Sequence, residues 1–233
     1  MALIMVEAIA AGRRSMIGSM LELDIVSDVV CPWCFIGKRR LEKALAMVRE
    51  ELPEFSARIR WQPFFLNPDT PPQGEPYFPF LEKKFGGRAE VEAIFDRVRA
   101  AGAPYGVTYA FEKIALRANT LLAHRLIHWV QQQGDASALV ERLFVAQFQR
   151  GEHVGDLPTL VRIAVECGFN GAEVEAYLRS DQDQDLVLAL ERQARQRGIT
   201  MVPSFVLGSG EIIVGAEDPA ILAAGLRRTL ASR

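Results

Sequence analysis

Apolar and polar positions alternate in the first clear pattern of the chain. Leu21, Leu23 and Ile25 are interleaved with Glu22, Asp24 and Val26, which suits a strand with at least one buried face. Past Cys34 the period changes. Phe35, Leu41, Leu45 and Val48, with Ala44 between them, fall roughly at helical spacing. Residues 58–66 return to alternation, with Ile59, Trp61 and Pro63 set against charged or polar neighbours, and predict a second strand. Strand, helix and strand in that order make a βαβ unit, which requires a parallel pair and a right-handed crossover. Pro63 has no N–H to give a central ladder, so it belongs at the strand's end or on the sheet edge.

Residues 67–79 are rich in Pro and Gly and read as a loop. From about 77 to 196 the periodicity is almost wholly helical. Short pieces at 82–85 and 89–101 flank Gly86-Gly87. The stretch 117–133 carries Leu122, Leu126 and Trp129 on one face, and 137–149 carries Val140, Leu143, Phe144 and Phe148. Further helices are expected at 157–166, 172–178 and 186–197, the first with Asp156 as N-cap and Pro158 just inside it. Strand signals return at 203–207 and 211–214 around a Gly-Ser-Gly turn, and Asp218-Pro219 opens a last helix. The order is β-α-β, a helical block, then β-β-α. That predicts an α/β chain in which 20–76 and 198–233 form one domain, 77–197 is inserted into it, and 1–19 is an N-terminal extension. The insertion is expected to pack over the face that holds the first helix's start.

Composition narrows the function only by exclusion. The chain has 233 residues, 27 basic against 29 acidic side chains and a net charge of −2, which gives no reason to expect nucleic acid or an anionic membrane as partner. Residues 1–11 are apolar apart from Glu7, and Arg13-Arg14 follow them. A secretory signal has the reverse order, and no stretch approaches a membrane span. Three cysteines do not make a disulfide scaffold, and a cytoplasmic protein is expected. The sequence is silent on oligomeric state.

Two of those cysteines carry the chemistry. In Cys31-Pro-Trp-Cys34 the first sulfur sits where strand turns into helix, and Pro32 suits the helix's first turn because its missing N–H would be unpaired there anyway. The free N–H groups of that turn and the helix dipole favour an anion at Cys31. A thiolate is the attacking form of cysteine, so Cys31 is the expected nucleophile. Cys34, one turn further in, is within reach to close a disulfide and is the expected resolving thiol. A zinc site would need two more ligands, and the remaining cysteine, Cys167, has no Cys-X-X-Cys partner. An inert buried pair is the other reading. His124 and His128 are four apart on one predicted helix, but no third ligand accompanies them, and no metal is expected. Cys167 is expected to be buried in an apolar helix. Asp28 reads as a strand-end turn residue, with tuning of the cysteine pair as the alternative, and Trp33 as an exposed ring beside the pair.

The stretch Ser27-Asp-Val-Val-Cys-Pro-Trp-Cys-Phe-Ile-Gly37 resembles the DsbA family of thioredoxin-fold thiol–disulfide oxidoreductases, in its FrnE-like branch. The resemblance continues in Pro63-Phe-Phe-Leu-Asn-Pro-Asp69, Asn119-Thr-Leu-Leu-Ala-His-Arg125, Leu143-Phe-Val-Ala-Gln-Phe148 and Val202-Pro-Ser-Phe-Val206. It implies a thioredoxin fold with a large helical insertion. It further implies a cis bond before Pro203 facing the cysteine pair, and a Val202 backbone that pairs with bound substrate beside Pro32 and Trp33. Asn119 and His124 become candidates for lining a substrate groove, with a satisfied core or surface role as the equally weighted alternative. No bound cofactor is implied beyond the Cys31–Cys34 disulfide. The expected partners are protein or small thiol and disulfide substrates, with glutathione as a candidate co-substrate. The related kappa-class glutathione transferases and hydroxychromene-carboxylate isomerases share the architecture but typically place serine at the nucleophile position. A chaperone-like protein that binds unfolded chains is the non-catalytic alternative.

Overall fold

The computed structural model describes residues 20–232; the expected extension at 1–19 lies outside them. Strand β1 (Met20–Ser27) is the inner strand on which the sheet is built. It pairs in parallel with β2 (Ser56–Pro63), from Met20 opposite Ser56 to Ser27 opposite Pro63. On its other side it runs antiparallel to β5 (Ser204–Leu207), which forms a hairpin with β6 (Ile212–Val214), giving the order β2-β1-β5-β6. Leu21, Leu23 and Ile25 are fully buried. The alternate positions Glu22 and Asp24 are partly covered and meet Arg60 across the ladder, Asp24 at 2.6 Å and Glu22 at 3.6 Å. Pro63 is the last residue of the edge strand, where its missing N–H breaks no ladder.

Helix α1 (Pro32–Glu51) makes the crossover and buries Phe35, Ile36, Leu41, Leu45 and Val48. At about 2 kcal/mol for each such side chain, that one face contributes about as much as the net stability of a typical domain. The closing helix α9 (Pro219–Ala231) packs beside α1. Its N-cap, Asp218, accepts the Ala220 N–H at 2.8 Å, with Pro219 in the first turn.

Between β2 and β5 the chain is largely helical. The elements are α2 (Tyr77–Phe85), α3 (Arg88–Gly102), α4 (Leu121–Gln131), α5 (Ser137–Val145), α6 (Leu157–Glu166), α7 (Gly171–Arg179) and α8 (Gln184–Gln196). Together with the sheet they form an α/β thioredoxin fold carrying a helical insertion. Asp156 caps α6 by accepting the Thr159 N–H at 3.0 Å. Several boundaries differ from expectation. The predicted loop 67–79 contains β3 (Glu75–Pro76), and α2 begins at Tyr77 rather than at 82. The helix predicted from 117 begins at Leu121, because Arg117 pairs with Glu75 in a two-stranded ladder between β3 and β4 (Leu116–Arg117). That pairing joins segments some forty residues apart and leaves no local trace. The helix predicted at 137–149 turns from α to π geometry over Ala146–Arg150. Cys167 is the C-cap of α6 and only partly buried, not enclosed as expected.

Two polar locks hold the helical block to the sheet and to itself. Gln131 of α4 bonds both backbone groups of Trp61 on the edge strand, accepting its N–H and donating to its C=O at 3.0 Å. A side chain thus covers part of a strand edge that would otherwise stay unpaired. Arg125 is 1 % exposed, yet its guanidinium donates to the carbonyls of Tyr177, Leu178, Ser180 and Gln182 at 3.0, 3.3, 2.7 and 3.0 Å. Those carbonyls include the orphaned acceptors at the end of α7, and a cation there also complements the helix dipole.

Candidate active site

The end of β1, the start of α1 and the start of β5 converge on two sulfur atoms. Beyond Ser27 the chain turns, with the Cys31 N–H donating to the Asp28 carbonyl at 3.0 Å. Cys31 is the N-cap of α1 in an extended conformation, and Pro32 is the first helical residue. The Cys31 carbonyl accepts the Cys34 N–H at 3.0 Å. No acidic residue stands in the first turn of α1, so the positive end of its dipole faces Cys31 without a compensating side chain. Both cysteines are free thiols and buried, Cys31 at 4 % exposure and Cys34 at 1 %.

The Cys31 thiol donates to the Val202 carbonyl at 3.7 Å, across 171 residues of chain. The Val202–Pro203 peptide bond is cis, and the Pro203 ring lies against α1. A Cβ placed on Gly37 would stand 2.7 Å from Pro203 Cγ, so the absence of a side chain at 37 is what allows the helix and the proline to meet. Burial raises the pKa of Cys34 well above its ordinary value; the neighbouring Cys31, through its hydrogen bond and its charge, adds to the rise. The Ser27 side chain and the Asp28 backbone work in the opposite direction.

Three neighbours of the pair were not singled out by sequence reasoning, or were given a smaller role. Asp28 does more than end a strand. It is 1 % exposed, its carboxylate accepts the Leu66 N–H at 2.8 Å, and it faces His124 Nε2 at 3.3 Å. It therefore ties the cysteine turn to the loop after β2 and to α4. Tyr109 donates its hydroxyl to the Pro32 carbonyl at 2.7 Å. Burial first, and then the two cysteines, raise its pKa far above the ordinary tyrosine value, so it stays protonated and acts as a donor. It lies on an irregular stretch between α3 and α4 with no motif to mark it. Gln147 lies in the π turn and is 2 % exposed; helix irregularity of this kind gathers at functional sites, but hydrophobic spacing does not reveal it.

A cavity of about 400 Å³ opens beside Cys31. Pro32, Trp33 and Val202 line it together with Cys31, and α2 and α3 supply Tyr77, Phe80 and Phe95 from the opposite side. Trp33 is 38 % exposed at its rim. Pro203 is buried behind Val202. Asn119 and His124 are not among the residues that line this cavity. Asn119 instead accepts the Leu121 N–H at 3.1 Å at the start of α4 and donates to the Thr70 carbonyl at 2.8 Å. The ring of His124 is turned to the buried Asp28, because a buried carboxylate needs a partner. His128 pairs with Gln132 at 3.3 Å. Among the described residues no group of three or more His, Cys, Asp and Glu is placed to hold a metal ion.

A thiol pair at the start of a thioredoxin-fold helix, facing a cis-proline loop, defines the class of thiol–disulfide proteins. Residues 22–227 match the DSBA-like thioredoxin domain, and the chain belongs to that family of thiol–disulfide oxidoreductases. It is 30 % identical to a probable DsbA oxidoreductase from Streptomyces coelicolor, whose crystal structure superposes with a TM-score of 0.83 over 91 % of each chain. It is 28 % identical over 197 residues to the Bacillus subtilis protein YwbO, covering 84 % of this chain and 90 % of that one. A 2-hydroxychromene-2-carboxylate isomerase, 17 % identical, shares the fold with a TM-score of 0.66 over 91 % of this chain and 97 % of its own.

Proposed function

We propose that the chain exchanges disulfides through Cys31 and Cys34. The observation that carries this reading is the Cys31 thiol at the unopposed start of α1, beside the Val202 carbonyl and open to a cavity. In the reducing direction the Cys31 thiolate attacks one sulfur of a substrate disulfide. The substrate S–S bond breaks, one substrate thiolate leaves, and the other half stays joined to Cys31 as a mixed disulfide. Cys34 loses its proton and attacks the Cys31 sulfur, releasing the second thiolate and closing the Cys31–Cys34 bond. Two electrons have then passed from the protein to the substrate. The reverse sequence oxidises a substrate dithiol, and a small thiol such as glutathione is the class of reagent that would return the pair to the reduced state. The raised pKa of Cys34 keeps it protonated while the mixed disulfide forms, so the two thiols act in order rather than in competition.

A cytoplasmic setting, in which such a pair is held reduced, is part of this reading. Among the described residues no helix is long and apolar enough to cross a membrane. The experiment is insulin-disulfide reduction by the full chain, by Cys31→Ser and by Cys34→Ala. Loss of turnover in both, with a mixed disulfide accumulating on Cys31 only in Cys34→Ala, supports the reading. Undiminished suppression of aggregation, with no turnover in the unaltered chain, would favour a chaperone-like role. Turnover of a hydroxychromene carboxylate that survives Cys31→Ser would favour an isomerase.

A further inference from the structure

The cavity beside Cys31 is lined by cations as well as by apolar side chains. Its charged lining residues are Lys84 of α2, Arg97 of α3 and Arg117 of β4, and no Asp or Glu lines it. Arg117 is buried and already paired with Glu75, with Asp69 at 3.6 Å. Lys84 and Arg97 have no carboxylate partner among the described residues. Lys84 reaches only the Asn67 side-chain oxygen, at 3.2 Å, and its ammonium lies 5.4 and 5.7 Å from the ring centres of Phe80 and Phe85. A separate observation points the same way. Gln147 lines the cavity at 2 % exposure, and its carboxamide has no hydrogen-bond partner among the described residues. With no such partner and not sealed from the cavity, the carboxamide is open to a bond from whatever occupies it.

We infer that the group which enters this cavity is a low-molecular-weight disulfide or thiol with an aromatic body and a carboxylate. The inference rests on Cys31 being the attacking sulfur. A volume of about 400 Å³ suits a small organic molecule. Aromatic walls take its body, Gln147 takes a polar substituent, and the exposed cations Lys84 and Arg97 at the cavity's edge, which have no counter-charge among the described residues, raise the local concentration of an anion. On an aryl disulfide the chemistry balances within the reduced protein. Cys31 attacks, one aryl thiolate leaves, Cys34 displaces the other, and two electrons move from the dithiol to the substrate.

The test compares two probes in stopped flow with the reduced full chain: bis(carboxynitrophenyl) disulfide, which is anionic, and dipyridyl disulfide, which is neutral. Each rate is divided by that of free glutathione with the same probe. The expected result is a preference of about tenfold for the anionic probe, falling as salt is added. Lys84→Gln with Arg97→Gln, both at exposed positions, should bring the ratio close to one, whereas Arg179→Gln, a cation outside the cavity, should leave it unchanged. Gln147→Leu should weaken saturation by the anionic probe several-fold; unchanged saturation would remove Gln147 from the site. Equal normalised rates for the two probes, or a preference indifferent to the double substitution, overturn the inference and leave the exchange chemistry standing. No reaction with either probe overturns the exchange reading and the inference with it.

Discussion

Gly37→Ala tests whether close packing between α1 and Pro203 sets the active-site geometry. A Cβ at residue 37 would lie 2.7 Å from Pro203 Cγ and 3.3 Å from both Pro203 Cβ and Phe205 Cζ. Carbon atoms prefer about 3.5–4.0 Å, so the proline must retreat by close to 1 Å. Pro203 is followed directly by the fully buried strand β5, and overpacking of a filled interior costs about 1–3 kcal/mol. Against this, alanine in a helix interior is favoured over glycine by about 0.8–1.0 kcal/mol. The difference leaves a net loss of up to about 2 kcal/mol, or a melting temperature lower by up to about 8 °C in a chain of this size. Function should suffer more than stability. Val202 would move with Pro203, and its carbonyl is the group that touches the Cys31 sulfur. A misplacement on the order of 1 Å at a reacting centre can cost about 100-fold in rate. Thermal unfolding and the single-turnover rate of mixed-disulfide formation measure the two effects separately. A melting temperature that rises, with the exchange rate unaltered, would show that helix propensity dominates and that the contact constrains nothing.

Other expectations follow from the same geometry. With iodoacetamide, read by mass against pH, Cys31 should alkylate well before Cys34, since burial holds the Cys34 thiol protonated to unusually high pH; equal rates for the two would refute the assignment of nucleophile and resolving thiol. Replacing Arg125 by Met leaves the carbonyls at the end of α7 without their buried donors and should cost about 3 kcal/mol or more in denaturant unfolding; a midpoint within error of the parent would exclude the lock. On the acid side, Arg227 and Arg142 lower the carboxyl pKa values of Glu51 and Glu166 below 4.5. Depressed carboxylates contribute stability that is complete above their unfolded pKa and is lost as pH falls through the folded one. A stability–pH profile should therefore bend downward below that value, and Glu51→Gln with Glu166→Gln should flatten the bend.

Much of the fold was legible because its signals are local. The alternation of Leu21, Leu23 and Ile25, the proline one residue inside α1, the turn between β5 and β6, and the caps Asp156 and Asp218 each depend on residues a few positions apart. Cys31 and Cys34 belong to the same category, since a helix start and a two-residue spacing are properties of one short segment. Asn119 and His124 show the limit. Both stand in a stretch that matches the family, but their side chains were free to serve either a groove or a scaffold, and only the fold shows His124 turned to Asp28 and Asn119 to Thr70.

What the tertiary structure alone decided lies between distant segments. The β3–β4 pairing, the Asp28–His124 contact, the reach of Tyr109 to Pro32 and the placing of Gln147 join residues from about 40 to nearly 120 positions apart. None has a periodicity, because each satisfies a buried polar group or fills a space that exists only once the helical block has closed on the sheet. The cation-lined cavity is of this kind. Lys84, Arg97 and Arg117 are ordinary surface-type residues on three separate elements, and only packing turns them toward one sulfur's surroundings. The sequence by itself determined where the thiols stand, at the junction of the first strand and the first helix. The folded chain determined what those thiols face.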